Sequence, residues 1–298
     1  MILMDVRRNK RKTFLIVTVF FVIVALFVYF LSLWLFDDTT FAVIVGLLFS
    51  FITSFVSYYN SDKIVLSLNK AREATKEEYR QLNDILEGLC LATGLPMPKL
   101  YVMEDSAMNA FATGRNPKHS IICVTTGLLN RLDKYEIEGV LAHELSHIRN
   151  YDILLQTVTV VMVGFIVMLS DAFSRGFLRP SKSRDDDDNN KGNAILMIIG
   201  LVFIILAPIF AKLIQLAISR NREYLADASA VEITRNKDGL INALKKISDD
   251  TEVLKTANQS TESLYIISPL KSKNKQKDSL FSTHPNTLNR IERLQNIQ

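Results

Sequence analysis

The chain has 298 residues, 48% of them hydrophobic, with 35 Lys+Arg against 31 Asp+Glu and a formal net charge of +4. That excess of basic residues is too small, and too little interleaved with aromatic residues, to form a nucleic-acid surface, so no nucleic-acid partner is expected. The only cysteines, Cys90 and Cys123, each lie in an apolar run, which excludes a disulfide scaffold and reads as two buried thiols in a reducing compartment.

From Thr13 to Phe36 the chain carries no charge. At about 1.5 Å of rise per residue, a helix over this run is long enough for a hydrocarbon core of about 30 Å. A signal peptide would have an apolar region of only about 7–15 residues followed by a small-residue cleavage site, whereas this run ends in Trp34-Leu35-Phe36-Asp37. A second apolar run, Phe41 to Tyr58, follows the turn Asp37-Asp38-Thr39-Thr40. Residues 1–59 therefore read as a membrane hairpin with spans at about 13–36 and 41–58, Tyr58 and Tyr59 lying at the interface. Arg7, Arg8, Lys10, Arg11 and Lys12 precede the first span and no basic residue occupies the tip, which puts the N-terminus in the cytoplasm.

Residues 60–152 read as the first part of a soluble domain. Ala71, Ala74, Tyr79, Leu82, Ile85, Leu86 and Leu89 recur at helical spacing, predicting a helix over Asn69–Leu91 that ends by Gly94, before Pro96 and Pro98. Lys99–Met103 and Ser120–Thr125 have strand composition, and Asn109–Gly114 between them reads as a short strand running into a turn at Arg115-Asn116-Pro117. Lys134–Tyr151 is patterned as a helix with Asp133 as its cap.

A second membrane hairpin is expected over 153–218, from the runs Ile153–Leu169 and Ala194–Ile218, with spans at about 153–172 and 194–216. The loop between them, with Arg179-Pro180 and Asp185-Asp186-Asp187-Asp188, reads as solvated. Its basic residues would lie outside, so the later spans support the orientation less than the first hairpin does. Residues 219–298 return to the first compartment as the second soluble part, with helices over Ser219–Arg235, Asn236–Ile247 and Thr287–Ile297 and a flexible basic loop at Ser268–Lys277.

The segment His143-Glu144-Leu145-Ser146-His147 falls on the predicted helix Lys134–Tyr151. Positions four apart share a helix face, so His143 and His147 can grip one ion while Glu144 stands beside it. Zinc lowers the pKa of a bound water to about 7, and a neighbouring carboxylate can take its proton and pass it to a leaving amine. A catalytic zinc needs a third protein ligand, and no histidine follows His147 at the spacing that would extend the motif. Glu223 and Asp227, four apart on a later helix, are candidates: one to bind the ion, the other to hold a histidine ring by its second nitrogen. On spacing alone, two carboxylates on a solvated helix are an equal alternative.

These segments together resemble one family. His143-Glu144-Leu145-Ser146-His147 followed by Asp152, then Ser219-Arg220-Asn221-Arg222-Glu223-Tyr224-Leu225-Ala226-Asp227, then Ser282-Thr283-His284-Pro285 and Arg290-Ile291-Glu292-Arg293-Leu294, resemble the HtpX family of bacterial membrane proteases, which is similar in its catalytic core to the CAAX prenyl endoproteases. The resemblance implies an α+β, mainly helical fold: a multi-helix membrane part and a gluzincin-like zinc protease domain with a small sheet. It implies one zinc per chain on His143, His147 and Glu223, with Glu144 as general base and Asp227 behind a histidine. The active site and both termini would face the cytoplasm, in a multi-pass protein of the bacterial plasma membrane that degrades misfolded or damaged membrane proteins under stress. Its partners would be those substrates and the lipid bilayer; the oligomeric state is open. Asn109, Ala110, Phe111, Ala112 and Thr113 match the family's substrate-binding edge strand, where an extended peptide adds by main-chain pairing; an ordinary core strand is the alternative. His284 either stabilises the oxyanion or shapes a turn before Pro285. Asp152 either supports the metal-site helix or caps the next one. His119 reads as a surface residue. A CAAX-type processing protease and a non-catalytic membrane scaffold are the competing functions.

Overall fold

The computed structural model describes residues 2–36, 39–162, 164–165, 220–255, 261–269 and 284–297. The turn at Asp37-Asp38, the acidic run Asp185–Asp188, the fourth apolar run, the end of the third and most of the basic loop at 268–277 lie outside the described residues.

Helix α1, Ile2–Phe36, joins the basic N-terminal segment and the charge-free run in one element. Helix α2, Thr39–Tyr59, packs along it; a Cβ added at Gly46 would stand 3.1 Å from the Ala25 carbonyl oxygen, so the two backbones approach closely there. Phe41, Ile44, Leu47, Leu48, Phe51, Ile52 and Phe55 of α2 are 43–62% exposed. Among the described residues no single helix is long and apolar enough to cross a membrane. Val43–Val56 and the next helix, α3 (Ser61–Leu68), bent by 69°, reach that mark together. Residues 30–36 of α1 are described by their backbone alone.

The helix predicted over Asn69–Leu91 begins later than its periodicity suggests: α4 spans Arg80–Thr93 and stops at Gly94, whose φ of +67° is left-handed. Before it the chain turns at Lys70 (φ +50°) and forms a two-residue strand, β1, Arg72–Glu73. Ala71 and Ala74 imitate helical spacing, but their amides are committed elsewhere, to Leu66 O and to Leu100 O on the neighbouring strand, each at 3.0 Å. Tertiary pairing overrides the local pattern here.

The expected strands are present as β2 (Lys99–Met103), β3 (Ala110–Asn116) and β4 (His119–Thr125). The sheet runs β1-β2-β4-β3, with β2 and β4 parallel and the other pairs antiparallel. β3 is thus an edge strand. A short helix, α5 (Thr126–Arg131), leads into α6 (Lys134–Arg149), whose start is fixed by a capping box in which Asp133 and Glu136 bond each other's backbone. The next helix, α7, spans Asp152–Met162. After the undescribed segment come α8 (Arg220–Thr234), α9 (Lys237–Asp249, capped by Asn236) and α10 (Thr287–Gln295, capped by Asn286).

The core lies between sheet and helices: Leu86, Val102, Ile122, Leu141, Leu145, Leu244 and Leu294 have no solvent exposure, and each such side chain contributes about 1.5–3 kcal/mol relative to exposure. α6 and α9 touch through glycines. A Cβ at Gly139 would stand 2.7 Å from Leu240 N, and one at Gly239 2.5 Å from Tyr135 O. Cys90 and Cys123 are free and buried, and burial pushes the Cys90 thiol up to about 11 and that of Cys123 further still. Phe20 and Val24 of α1 pack against Leu154, Val158 and Met162 of α7, fastening the first helix to the element that follows α6.

Candidate metal centre

α6 runs through the core, so His143, Glu144, Ser146 and His147 are all buried on it. The two imidazoles stand edge to face at 87°, with Nε2 atoms 3.2 Å apart. Glu223, in the first turn of α8, closes the triangle: Oε2 lies 3.6 Å from His143 Nε2, and Oε1 3.6 Å from His147 Nε2. Ligand atoms of these three residues all lie within 4.8 Å of one another.

The donor set fits zinc. His143 Nδ1 faces Asp227 Oδ1 at 2.9 Å, and His147 Nδ1 faces Asp152 Oδ2 at 3.1 Å. A carboxylate there accepts a hydrogen bond from Nδ1–H, which leaves the lone pair of each neutral ring at Nε2. Two lone pairs 3.2 Å apart repel unless a proton or a metal ion stands between them. With zinc–nitrogen bonds of about 2.0–2.1 Å, two tetrahedral ligands sit roughly 3.3 Å apart.

Each of those carboxylates is itself held. Arg290 of α10, 1% exposed, donates from Nε and Nη2 to Asp227 at 2.9 and 2.7 Å, and from Nη1 to the Ile266 carbonyl at 2.6 Å. Asn9 of α1 donates to Asp152 Oδ1 at 2.6 Å and to the Asn150 carbonyl at 3.1 Å. Arg222 donates to Asn9 Oδ1 at 3.4 Å. Asp152 thus begins α7 and also holds His147.

The electrostatics follow from this packing. Burial would raise the Glu223 carboxyl, but His147, His143 and His284 hold it well below the usual range. Burial opposes ionisation of Asp227 as well, and Arg290 outweighs it, keeping that carboxyl low. Burial alone would lower His143, yet its bonds to Asp227 and Glu223 lift it to about 9. Glu144 moves the other way: burial raises its affinity for a proton, with His143 and His147 opposing. It is 1% exposed, and its Oε1 has no hydrogen-bond partner among the described residues. A buried carboxylate with an uncommitted oxygen beside the donor triangle is suited to receive a proton.

His284 also reaches the site, with Nδ1 3.9 Å from Glu223 Oε2 and Nε2 3.2 Å from the Glu262 carbonyl. Ala110, Phe111, Ala112 and Thr113 are at most 2% exposed on β3. That strand's outer edge is already engaged at both ends: the Ile266 amide donates to Ala110 O at 3.0 Å and Asn109 to the Ile267 carbonyl at 2.9 Å, while the Thr157 hydroxyl meets Thr113 and Gly114. Ala112 lies between. His119 is exposed on the hairpin away from the site.

Residues 76–298 match peptidase family M48. A protease HtpX homolog of Dictyoglomus thermophilum is 47% identical over 289 residues, covering 97% of this chain and 92% of its own. One of Listeria monocytogenes serotype 4a is 45% identical over 305 residues and covers both chains completely. The chain belongs to peptidase family M48. It is an HtpX-like metalloprotease of that family, and the matched region contains every residue of the donor triangle. The fold is shared with the crystal structure of S. mikatae Ste24p, at a TM-score of 0.50 and 21% identity over 91% of this chain. This M48 chain spans 62% of the Ste24p chain.

Sequence reading missed two supports of this M48 site. Arg290 shares the buried face of α10 with Ile291 and Leu294, and a charge on an apolar helix face is the signal that could have marked it. Asn9 stands among basic residues, and nothing in the local sequence marks it.

Proposed function

We propose that the protein is a membrane-anchored zinc endopeptidase that hydrolyses peptide bonds of misfolded or damaged membrane proteins at the cytoplasmic face, in protein quality control under stress. His143, His147 and Glu223 would hold one zinc, which when bound would supply the Lewis acidity that lowers the pKa of a water to about 7. Glu144 accepts the proton of the attacking water and delivers it to the leaving amine nitrogen. Asp227 and Asp152 fix the imidazoles, and His284 donates to the oxyanion of the cleaved carbonyl. The extended substrate pairs at Ala112, the part of the Asn109–Thr113 stretch that neither Ile266 nor Thr157 engages.

The observation that carries the membrane half of this reading is the contact between α1 and the site. Asn9 bonds the carboxylate that holds His147, and the same helix continues into the charge-free run Thr13–Phe36. An element with no ionised side chain over that length belongs in lipid, so the site stands at the bilayer surface. Residues 60–152 and 219–298 form the protease domain, and hairpins 1–59 and 153–218 form the membrane part. The basic residues before Thr13 favour a cytoplasmic N-terminus, and an even number of crossings between His147 and Glu223 returns both to one side.

Proteoliposomes carrying the full chain should cleave an unfolded membrane protein, lose this on chelation and regain it with zinc, and a reporter fused after Gln298 should read as cytoplasmic. Equal turnover of an unfolded soluble protein would remove the membrane-substrate assignment, and an external reporter would reverse the topology.

A further inference from the structure

A cleft of about 1000 Å³ opens away from the metal centre, between α1, the end of α2, the loop after α4 and the β3–β4 hairpin. Its α1 wall is Lys10, Thr13, Phe14 and Val17, the spacing that puts four residues on one helix face. Phe14 is 73% exposed. Arg115 and Lys118 reach the same cleft from the hairpin, more than a hundred positions away, and no acidic residue lines it among the described residues. Two of the cations are set on aromatic faces: Lys10 Nζ lies 4.3 Å from the centre of the Tyr151 ring, and the Arg115 guanidinium 5.1 Å from that of Tyr59. A cation over an aromatic face is attracted to it and so held in place.

We infer that this cleft binds an anionic phospholipid, its phosphodiester among Lys10, Arg115 and Lys118 and an acyl chain along Phe14, Val17 and Leu154. The inference rests on the membrane reading above. Charge complementarity picks the occupant: three converging cations without an acid call for an anion. The apolar wall below them calls for a hydrocarbon tail on the same molecule. The cleft also lies where the basic segment of α1 gives way to its charge-free run, the depth of lipid headgroups. The cations come from two distant stretches of chain, so a purely topological role for the N-terminal basic residues leaves Arg115 and Lys118 unexplained.

The test is lipid retention by the full chain in nanodiscs of phosphatidylcholine with a minority of phosphatidylglycerol, read by native mass spectrometry. The wild-type protein should prefer phosphatidylglycerol over phosphatidylcholine roughly a hundredfold, as expected for three near-surface cations. The variant K10Q/R115Q/K118Q should retain it near its bulk share, and K10R/K118R, which keeps the charge, should behave as wild type. Undiminished retention in the triple glutamine variant overturns the site. Displacement of the lipid by millimolar inorganic phosphate assigns the cleft to free phosphate and overturns the lipid. A chain that inserts but enriches no anionic lipid overturns this inference alone, whereas one that stays out of the nanodisc overturns the membrane reading with it.

Discussion

Helices α6 and α2 invert the usual relation between polarity and burial. α6 buries His143, Glu144, Ser146 and His147 in its last two turns, while α2, with no charged residue, leaves Ile44, Leu48, Phe51 and Ile52 more than half exposed. In α6 the inversion is compensated at three of these four side chains: Asp227 holds His143, Asp152 holds His147, and the Ser146 hydroxyl donates to Ala142 O at 2.9 Å, while Glu144 keeps an oxygen without a partner among the described residues. Burial without such partners would cost each group several kcal/mol. In α2 nothing in the described residues compensates the exposed apolar surface, so its surroundings must do so. One helix is polar where a reaction needs it, and the other is apolar where it is exposed, as the proposed membrane anchor requires.

Breaking the compensated side should have the largest effect. Glu223→Ala removes the oxygen that completes the donor triangle, and metal analysis should find the bound ion lost together with cleavage; full metal content would mean another ligand completes the site. Leu48→Arg probes the uncompensated side. A cation at the centre of a spanning helix costs about 2.5–3.5 kcal/mol, so membrane integration measured by alkaline extraction should fall by roughly a hundredfold at equilibrium. Unchanged integration would mean that α2 meets protein or water at that position. Arg290→Ala leaves Asp227 buried without its cation and should lower metal affinity about 10–100-fold, measured by competition with a chelator; wild-type affinity would show that Asp227 holds His143 unaided. The smallest effect sharpens the electrostatics. His143, lifted to about 9, carries a proton below that pH that an incoming metal must displace, so metal affinity should rise by about tenfold per pH unit from neutrality and level off above 9. Calorimetry in buffers of different ionisation heat reads the released proton, and a flat profile would contradict the assignment.

Most of the helical protease core was legible in the sequence because its signals are local. Asp133 announces the start of α6, the predicted helix Asn236–Ile247 is found as α9 with small shifts at its ends, and the four-residue spacing of His143 and His147 survives unchanged into the structure. The helices between residues 219 and 298 were legible for the same reason, but on spacing alone Glu223 and Asp227 of α8 could equally have been a solvated pair, and only the family resemblance set them at the metal site. What failed was decided at long range. Ala71 and Ala74 continue a helical period, yet Leu100 captures the Ala74 amide and makes a strand edge of the segment. Arg290 and Asn9 bear on the site through carboxylates that reach them only after folding, across 63 and 143 positions of chain, and no window of sequence contains both partners. The β3 edge was recognisable as a strand, but its engagement by Tyr265–Ile267 and Thr157 was not, since those contacts also close only in three dimensions.

The central claim is that Glu144 moves the proton at an ion held by His143, His147 and Glu223. Metal content and peptide-bond cleavage measured together on Glu144→Gln test it most directly. The amide keeps the size of the side chain and leaves all three donors in place, so one metal per chain is expected, as in the wild type, with cleavage abolished. Cleavage at the wild-type rate by that metal-loaded variant would contradict it.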